Sequence, residues 1–168
     1  ASIMDIANDI TYALHDLEDF YTAGLFPRNH AAAVLEDYSN RVKDNPDDPK
    51  KPPPTTDQHR ELDEEGGVKE KLEKKLKKMP GPDFDQKRFE DAVDKVHVLV
   101  RFSMYRHFDG SRDAFALIRT AFASLIDSYI PAIEIIEDGR KGVIAQLRRE
   151  HWYEIELLKW LTRRFVHD

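Results

Sequence analysis

The segment from Ile3 to Tyr21 constrains the fold of this chain more tightly than any other feature of the sequence. At about 100° per residue, Asp5, Asn8, Asp9, Tyr12, His15, Asp16 and Asp19 fall within one arc of roughly 120° on a helix. Ile3, Ile6, Ala7, Ile10, Leu14, Leu17 and Tyr21 occupy the opposite arc. A strand would scatter both sets over its two faces, so the pattern requires an amphipathic helix with one apolar side to bury. Its polar side is dense in carboxylates. Solvated surface and a chemically active face carry the same periodicity, and spacing does not choose between them.

The remaining chain repeats the helical theme. The first helix, about Ile3 to Ala23, stops at Gly24 with Pro27 beyond, a C-terminal signal. A second begins near Asn29 as cap and carries Ala33, Val34 and Tyr38 towards Val42. Residues 44–66 contain DNPDDPKKPPPTTDQ, which is rich in proline and poor in apolar groups and reads as a flexible linker or insertion. Within 67–79, Val68, Leu72 and Leu76 form a narrow stripe on a charged, lightly docked helix. A further helix is expected from about Asp85 to His107, buried through Phe89, Ala92, Val93, Val96, Val100 and Met104.

Asp109-Gly110 then forms a turn, and Ser111 caps a long helix from Arg112 to Tyr129, closed by Pro131. The β-branched alternation after Ala132, followed by Asp138-Gly139-Arg140-Lys141-Gly142 and Val143-Ile144, predicts a short β-hairpin around 132–146. A last helix, about Leu147 to Val166, buries Ile155, Leu158, Leu161 and Phe165. Trp152, Tyr153 and Trp160 read as core or interface aromatics. The fold class is mainly α: a helical bundle with one short hairpin.

Composition excludes several classes of function. The chain has 168 residues, enough for one domain or part of one, and a net charge of −6, which gives no general reason for nucleic-acid binding. Basic residues cluster only in Lys69–Lys78 and Arg140–Arg164. With no cysteine there is neither a disulfide nor a thiolate metal site, as suits a cytoplasmic protein. No apolar run approaches the roughly 20 residues of a membrane span, and no signal peptide is present. The chain opens on Ala-Ser within the helical pattern, without an initiator Met or a cap, and closes on Asp168 after an apolar helix, so both ends read as cut.

Residue order adds what periodicity lacks. Ala7, Asn8, Asp9, Ile10, Thr11, Tyr12, then His15, Asp16, Leu17, Glu18 and Asp19 closely resemble the A-D-D-I-x-Y-x-x-H-D-x-E-D helix of the deoxyguanosine triphosphate triphosphohydrolase family, part of the HD-domain phosphohydrolase superfamily. FDGSRDAFALIRTAFASLIDSYI resembles that family's Y-x-G-S-R…R-x-x-T-S-x-L-I segment, and EIELLKWLTRRFV its E-I-x-x-L-K-x-L-T-x-x-Y-V helix. Together they span about half of the chain, in the same order, as the family's C-terminal part. The proline- and lysine-rich stretch between them has no counterpart.

The resemblance implies an HD-type helical bundle that cleaves a deoxynucleoside triphosphate to deoxynucleoside and triphosphate by metal-assisted attack of water. It implies a divalent metal (Mg, Mn, Fe, Co or similar), dGTP or a related deoxynucleotide as substrate, and a homo-oligomer free of membrane and nucleic acid. Carried across by position, Asn8 stands where the family has the last metal-ligand Asp, with Asp9 as a possible substitute. An amide is a poorer partner for a divalent cation than a carboxylate. Tyr12 and Asp16 correspond to the nucleotide pocket, where the Asp accepts a hydrogen bond from the sugar 3′-hydroxyl.

Arg112, at a helix start, and Arg119, seven residues on, are candidate phosphate contacts, with ordinary ion pairs as the alternative. Lys159 is a weaker candidate of the same kind. The other metal ligands belong ahead of Asn8 and are not in this chain, and neither His15-Asp16 nor His167-Asp168 replaces them. The chain alone is therefore expected to be inactive. A regulatory nucleotide binder and a helical scaffold with a merely solvated acidic face are the competing readings.

Overall fold

The structure is a computed structural model, and it describes residues 2–43, 67–77, 79, 83–138 and 142–167. The flexible linker or insertion expected over 44–66 lies outside the described residues, as do residues 139–141. Helix α1 spans Ile3–Thr22 and buries Ile6, Ile10, Ala13, Leu14, Leu17 and Tyr21. Ala7, expected inside, is exposed; the buried arc is centred nearer Ala13, which takes its place. The start of α1 also corrects the reading of an uncapped end. Ser2 is the N-cap: its hydroxyl accepts from the Asp5 N–H at 3.1 Å, and the Asp5 carboxylate accepts from the Ser2 N–H at 2.8 Å. Those two bonds, backbone first, hold the Asp5 carboxyl below its usual range.

Helix α2 spans Arg28–Lys43 and starts one residue earlier than expected. The carbonyl of Pro27, not the side chain of Asn29, takes the free N–H groups of His30 and Ala31. Ala31, Val34, Leu35 and Tyr38 point inward, whereas Ala33 is exposed. Helix α3, Val68–Leu76, is set into the core rather than lightly docked: Val68, Leu72 and Leu76 are all nearly inaccessible. Their spacing of four lays one narrow line against a neighbouring helix.

The long helix expected from Asp85 to His107 divides in two. Helix α4 covers Gln86–Val98, with Asp85 as N-cap, and a wider π turn follows over Leu99–Ser103. Apolar residues four apart drift by about 40° per step around an α-helix. The π turn absorbs one extra residue and returns Val100 and Met104 to the buried line of Phe89, Ala92, Val93 and Val96.

Helix α5, Arg112–Tyr129, begins where the sequence places it. Ser111 Oγ accepts from the Ala114 N–H at 3.2 Å, and the Asp109 carboxylate accepts from the Ser111 N–H at 2.9 Å, across Gly110 at φ +73°. Strands β1 (Ile133–Asp138) and β2 (Gly142–Leu147) pair antiparallel from Ile133 opposite Leu147 to Asp138 opposite Gly142, the hairpin expected from the sequence. Leu147 thus ends a strand, and the last helix, α6, starts later, at Arg149–Thr162, before a second π turn over Arg163–His167.

Helix α6 is the hub. It packs most extensively on α4 and α1, and also on α3. Tyr153, Ile155, Leu157, Leu158, Trp160 and Leu161 are buried around it, which confirms the core role expected of Tyr153 and Trp160. Two carboxylates, Glu154 and Glu156, are buried with them, and each is matched by a lysine from a neighbouring helix, Lys95 and Lys75 respectively. The fold is mainly α with one small antiparallel hairpin. Among the described residues no helix is long and apolar enough to cross a membrane.

Candidate functional site

The helical hub brings the two ends of the chain together. Burial of Leu14 and Leu17 against α6 turns the polar arc of α1 outward along the α1–α6 seam. The last turn of α6 and the start of the π turn after it supply polar residues there, because Lys159, Thr162 and Arg163 follow the i, i+3, i+4 spacing of one helix face. The result is a groove of about 310 Å³ lined by Asp9, Tyr12 and Asp16 on one wall and Lys159, Thr162 and Arg163 on the other, with Ala13 at its base.

Charge inside the groove is ordered. Lys159 Nζ donates to Asp9 Oδ1 at 2.6 Å and lies 3.5 Å from Glu156 Oε1. Glu156 in turn pairs with Lys75 of α3, so alternating charges run from α1 through α6 to α3. Lys159 is 13% exposed and Glu156 8%, whereas Asp9 is 59% exposed. Lys159 is therefore held from below by a nearly buried carboxylate and offers its remaining hydrogen-bonding capacity to the groove. Tyr12 is 62% exposed, so one ring face is free to meet a ligand. Arg163, also exposed, has no ion-pair partner among the described residues.

The structure therefore assembles Asp9, Tyr12 and Asp16, as well as Lys159, in one concavity. It does not bring the other candidates there. Asn8 is exposed and outside the groove lining. Arg112 is exposed in the first turn of α5, while Arg119 lies 3.7 Å from Glu18 and over the ring of Phe115 at 5.5 Å, a contact between α5 and α1. For Arg119 the ion-pair alternative describes the geometry. Thr162 and Arg163 were not singled out from the sequence; their helical spacing from Lys159 was the available signal.

The residues present do not by themselves make a metal centre. Asp9 is already matched by an ammonium group, Asn8 carries no charge, and among the described residues no group of three or more His, Asp or Glu side chains is placed to hold a metal ion. What the arrangement can do is bind. It offers a carboxylate acceptor, an aromatic face and two cations, the pattern that suits a polar ring bearing an anionic tail. Comparison of the chain with protein-family models, with curated proteins and with solved structures gives no match.

Proposed function

We propose that the α1–α6 groove binds a deoxynucleoside triphosphate, with dGTP as the leading candidate, and that the chain is the C-terminal part of a triphosphohydrolase of the HD superfamily. One observation carries this reading. Two segments that resemble that family, one towards each end of the chain, line one groove, with Tyr12 and Asp16 on one wall and Lys159, Thr162 and Arg163 on the other.

In this reading the Asp16 carboxylate accepts a hydrogen bond from a sugar hydroxyl and the Tyr12 ring packs against the sugar. Lys159 and Arg163 hold the phosphates as charge-assisted donors. A divalent metal, which the resemblance implies, needs ligands beyond Asn8 and Asp9. Hydrolysis is accordingly assigned to an assembly that supplies them, and binding to this chain. The same reading includes a cytoplasmic homo-oligomer that acts on free nucleotides and not on nucleic acid.

A second reading is favoured by the Asp9–Lys159 pair, which sets an ammonium group beside the one carboxylate available to replace the family's ligand. A protein that binds the nucleotide without hydrolysing it would be built this way.

Thermal-shift titration with dGTP, the other deoxynucleotides and GTP, with and without Mn²⁺, tests both. A ligand at a hundredfold its Kd adds about 2.7 kcal/mol to the folded state. dGTP should raise the unfolding midpoint of the natural chain without metal, and by less for Asp16→Ala. No shift at millimolar nucleotide overturns the nucleotide reading of this groove. Triphosphate release by this chain alone is expected to be absent, and measurable release contradicts the division between binding and hydrolysis.

A further inference from the structure

A second groove of about 310 Å³ lies on the other flank of α6, against α3. Five cations line it: Lys71, Lys74 and Lys75 from α3, and Arg163 and Arg164 from the π turn that follows α6. Among the described residues Glu156 is the only carboxylate in the lining, and it is already shared between Lys75 and Lys159. Val68, Leu72 and Trp160 make the floor apolar.

This concentration of positive charge sits on a chain whose net charge is −6, so it is local in origin. Lys74 is offset by Glu70 one turn earlier, but Lys71 and Arg163 have no ion-pair partner among the described residues. Lysines near a helix C-terminus complement its dipole, which accounts for Lys74 and Lys75. It does not account for Lys71 near the middle of α3, or for Arg163 on the facing element. Lys71 and Arg163 face solvent from two different elements of the same groove, and a multivalent anion that bridges them supplies the countercharge they lack among the described residues.

We propose that the α3–α6 groove is a binding site for an oligophosphate, a short chain of linked phosphates that is either free or carried on a nucleoside. The cations are spread along both walls, which suits several linked phosphates better than one. The floor favours a small molecule over a nucleic-acid strand, because Trp160 is 8% exposed and offers no open face on which bases could stack. Arg163 lines this groove and the α1–α6 groove alike, and Glu156 contacts a lysine in each, so the two grooves share groups. The assignment does not depend on the deoxynucleotide reading of the first groove.

Calorimetric titration of the whole chain with inorganic triphosphate at low salt tests it, with dGTP as the nucleoside-borne arm. Lys71 and Lys74 are exposed, so the double variant Lys71→Ala/Lys74→Ala should keep the natural unfolding midpoint. It should bind triphosphate roughly tenfold more weakly or worse, while Tyr12→Ala, altered only in the first groove, binds it as the natural chain does. Binding of dGTP to Tyr12→Ala that is lost on adding the double substitution extends the site to nucleoside-borne phosphates; its absence restricts the site to free ones. Three results overturn the proposal: no triphosphate binding by the natural chain at millimolar ligand, undiminished binding by the double variant, or loss with Tyr12→Ala instead. A single-stranded oligothymidylate that binds more tightly than triphosphate, and depends on the same two lysines, makes the groove a nucleic-acid surface and overturns it too.

Discussion

Lys159 on the last helix and Asp9 on the first are joined Nζ to Oδ1 at 2.6 Å, a contact that ties the two ends of the chain across the mouth of a groove. The two partners are unequal. Lys159 is held from beneath by Glu156, which is 8% exposed, while Asp9 faces solvent. Removing the lysine leaves Glu156 matched by Lys75 alone, whereas removing the aspartate leaves a lysine that still has a partner. Urea denaturation should show this asymmetry. Lys159→Met is expected to cost about 1–3 kcal/mol, and Asp9→Asn no more than about 1 kcal/mol. Equal losses would show that the pair acts as an isolated surface bridge.

Helix α3 is a structural member of the core. Leu72 is 2% exposed beneath its charged face, so Leu72→Ala should destabilise the chain by about 2–4 kcal/mol. A loss below about 0.5 kcal/mol, the range of ordinary surface changes, would mean that α3 only rests on the surface.

Ser111 closes the first turn of α5 by accepting from the Ala114 N–H. Ser111→Ala is expected to cost about 1 kcal/mol, and Ser111→Asp, which restores the acceptor, should recover most of it. If the two variants are equally unstable, the cap is not what holds the start of this helix.

Alkaline pH should weaken the fold through Tyr129. Burial, and then the nearby Glu154 carboxylate, through its charge and its interaction with the hydroxyl, push that hydroxyl well above the ordinary value of 10.0. The folded state therefore keeps a proton that the unfolded chain releases near pH 10. The contribution is complete below that value and falls as pH rises above it, by up to about 1.4 kcal/mol per pH unit. Tyr153 and Tyr21, also raised by burial, act in the same direction. Tyr129→Phe removes this buried hydroxyl, so it should make the decline between pH 10 and pH 11 shallower. A decline identical to that of the natural chain would exonerate Tyr129.

Much of the architecture was legible in the order of residues. Ser111 after Asp109-Gly110 announced the start of α5, and the β-branched alternation before Asp138 announced the hairpin, because capping and turn preferences act over a few neighbouring residues. The break of α4 at Leu99 was not legible, since a four-residue apolar spacing fits a long helix as well as a helix followed by a π turn. The cap at Ser2 was missed for a similar reason: an aspartate in the third helical position is a less familiar partner than glutamate. At the groove, Tyr12 and Asp16 could be named from the first helix alone. Thr162 and Arg163 became visible only once α6 lay beside α1.

By itself the amino-acid order determined a mainly helical chain with a short hairpin, an acidic face on the first helix and an apolar line on nearly every element. Those properties follow from periods and caps that depend only on near neighbours. Tertiary packing alone decided that α6 is the hub, that Glu156 is buried between two lysines, and that Arg163 stands on the ridge between two grooves. Such relationships join residues far apart along the chain, and a helix can bury the same apolar stripe against many partners before packing selects one.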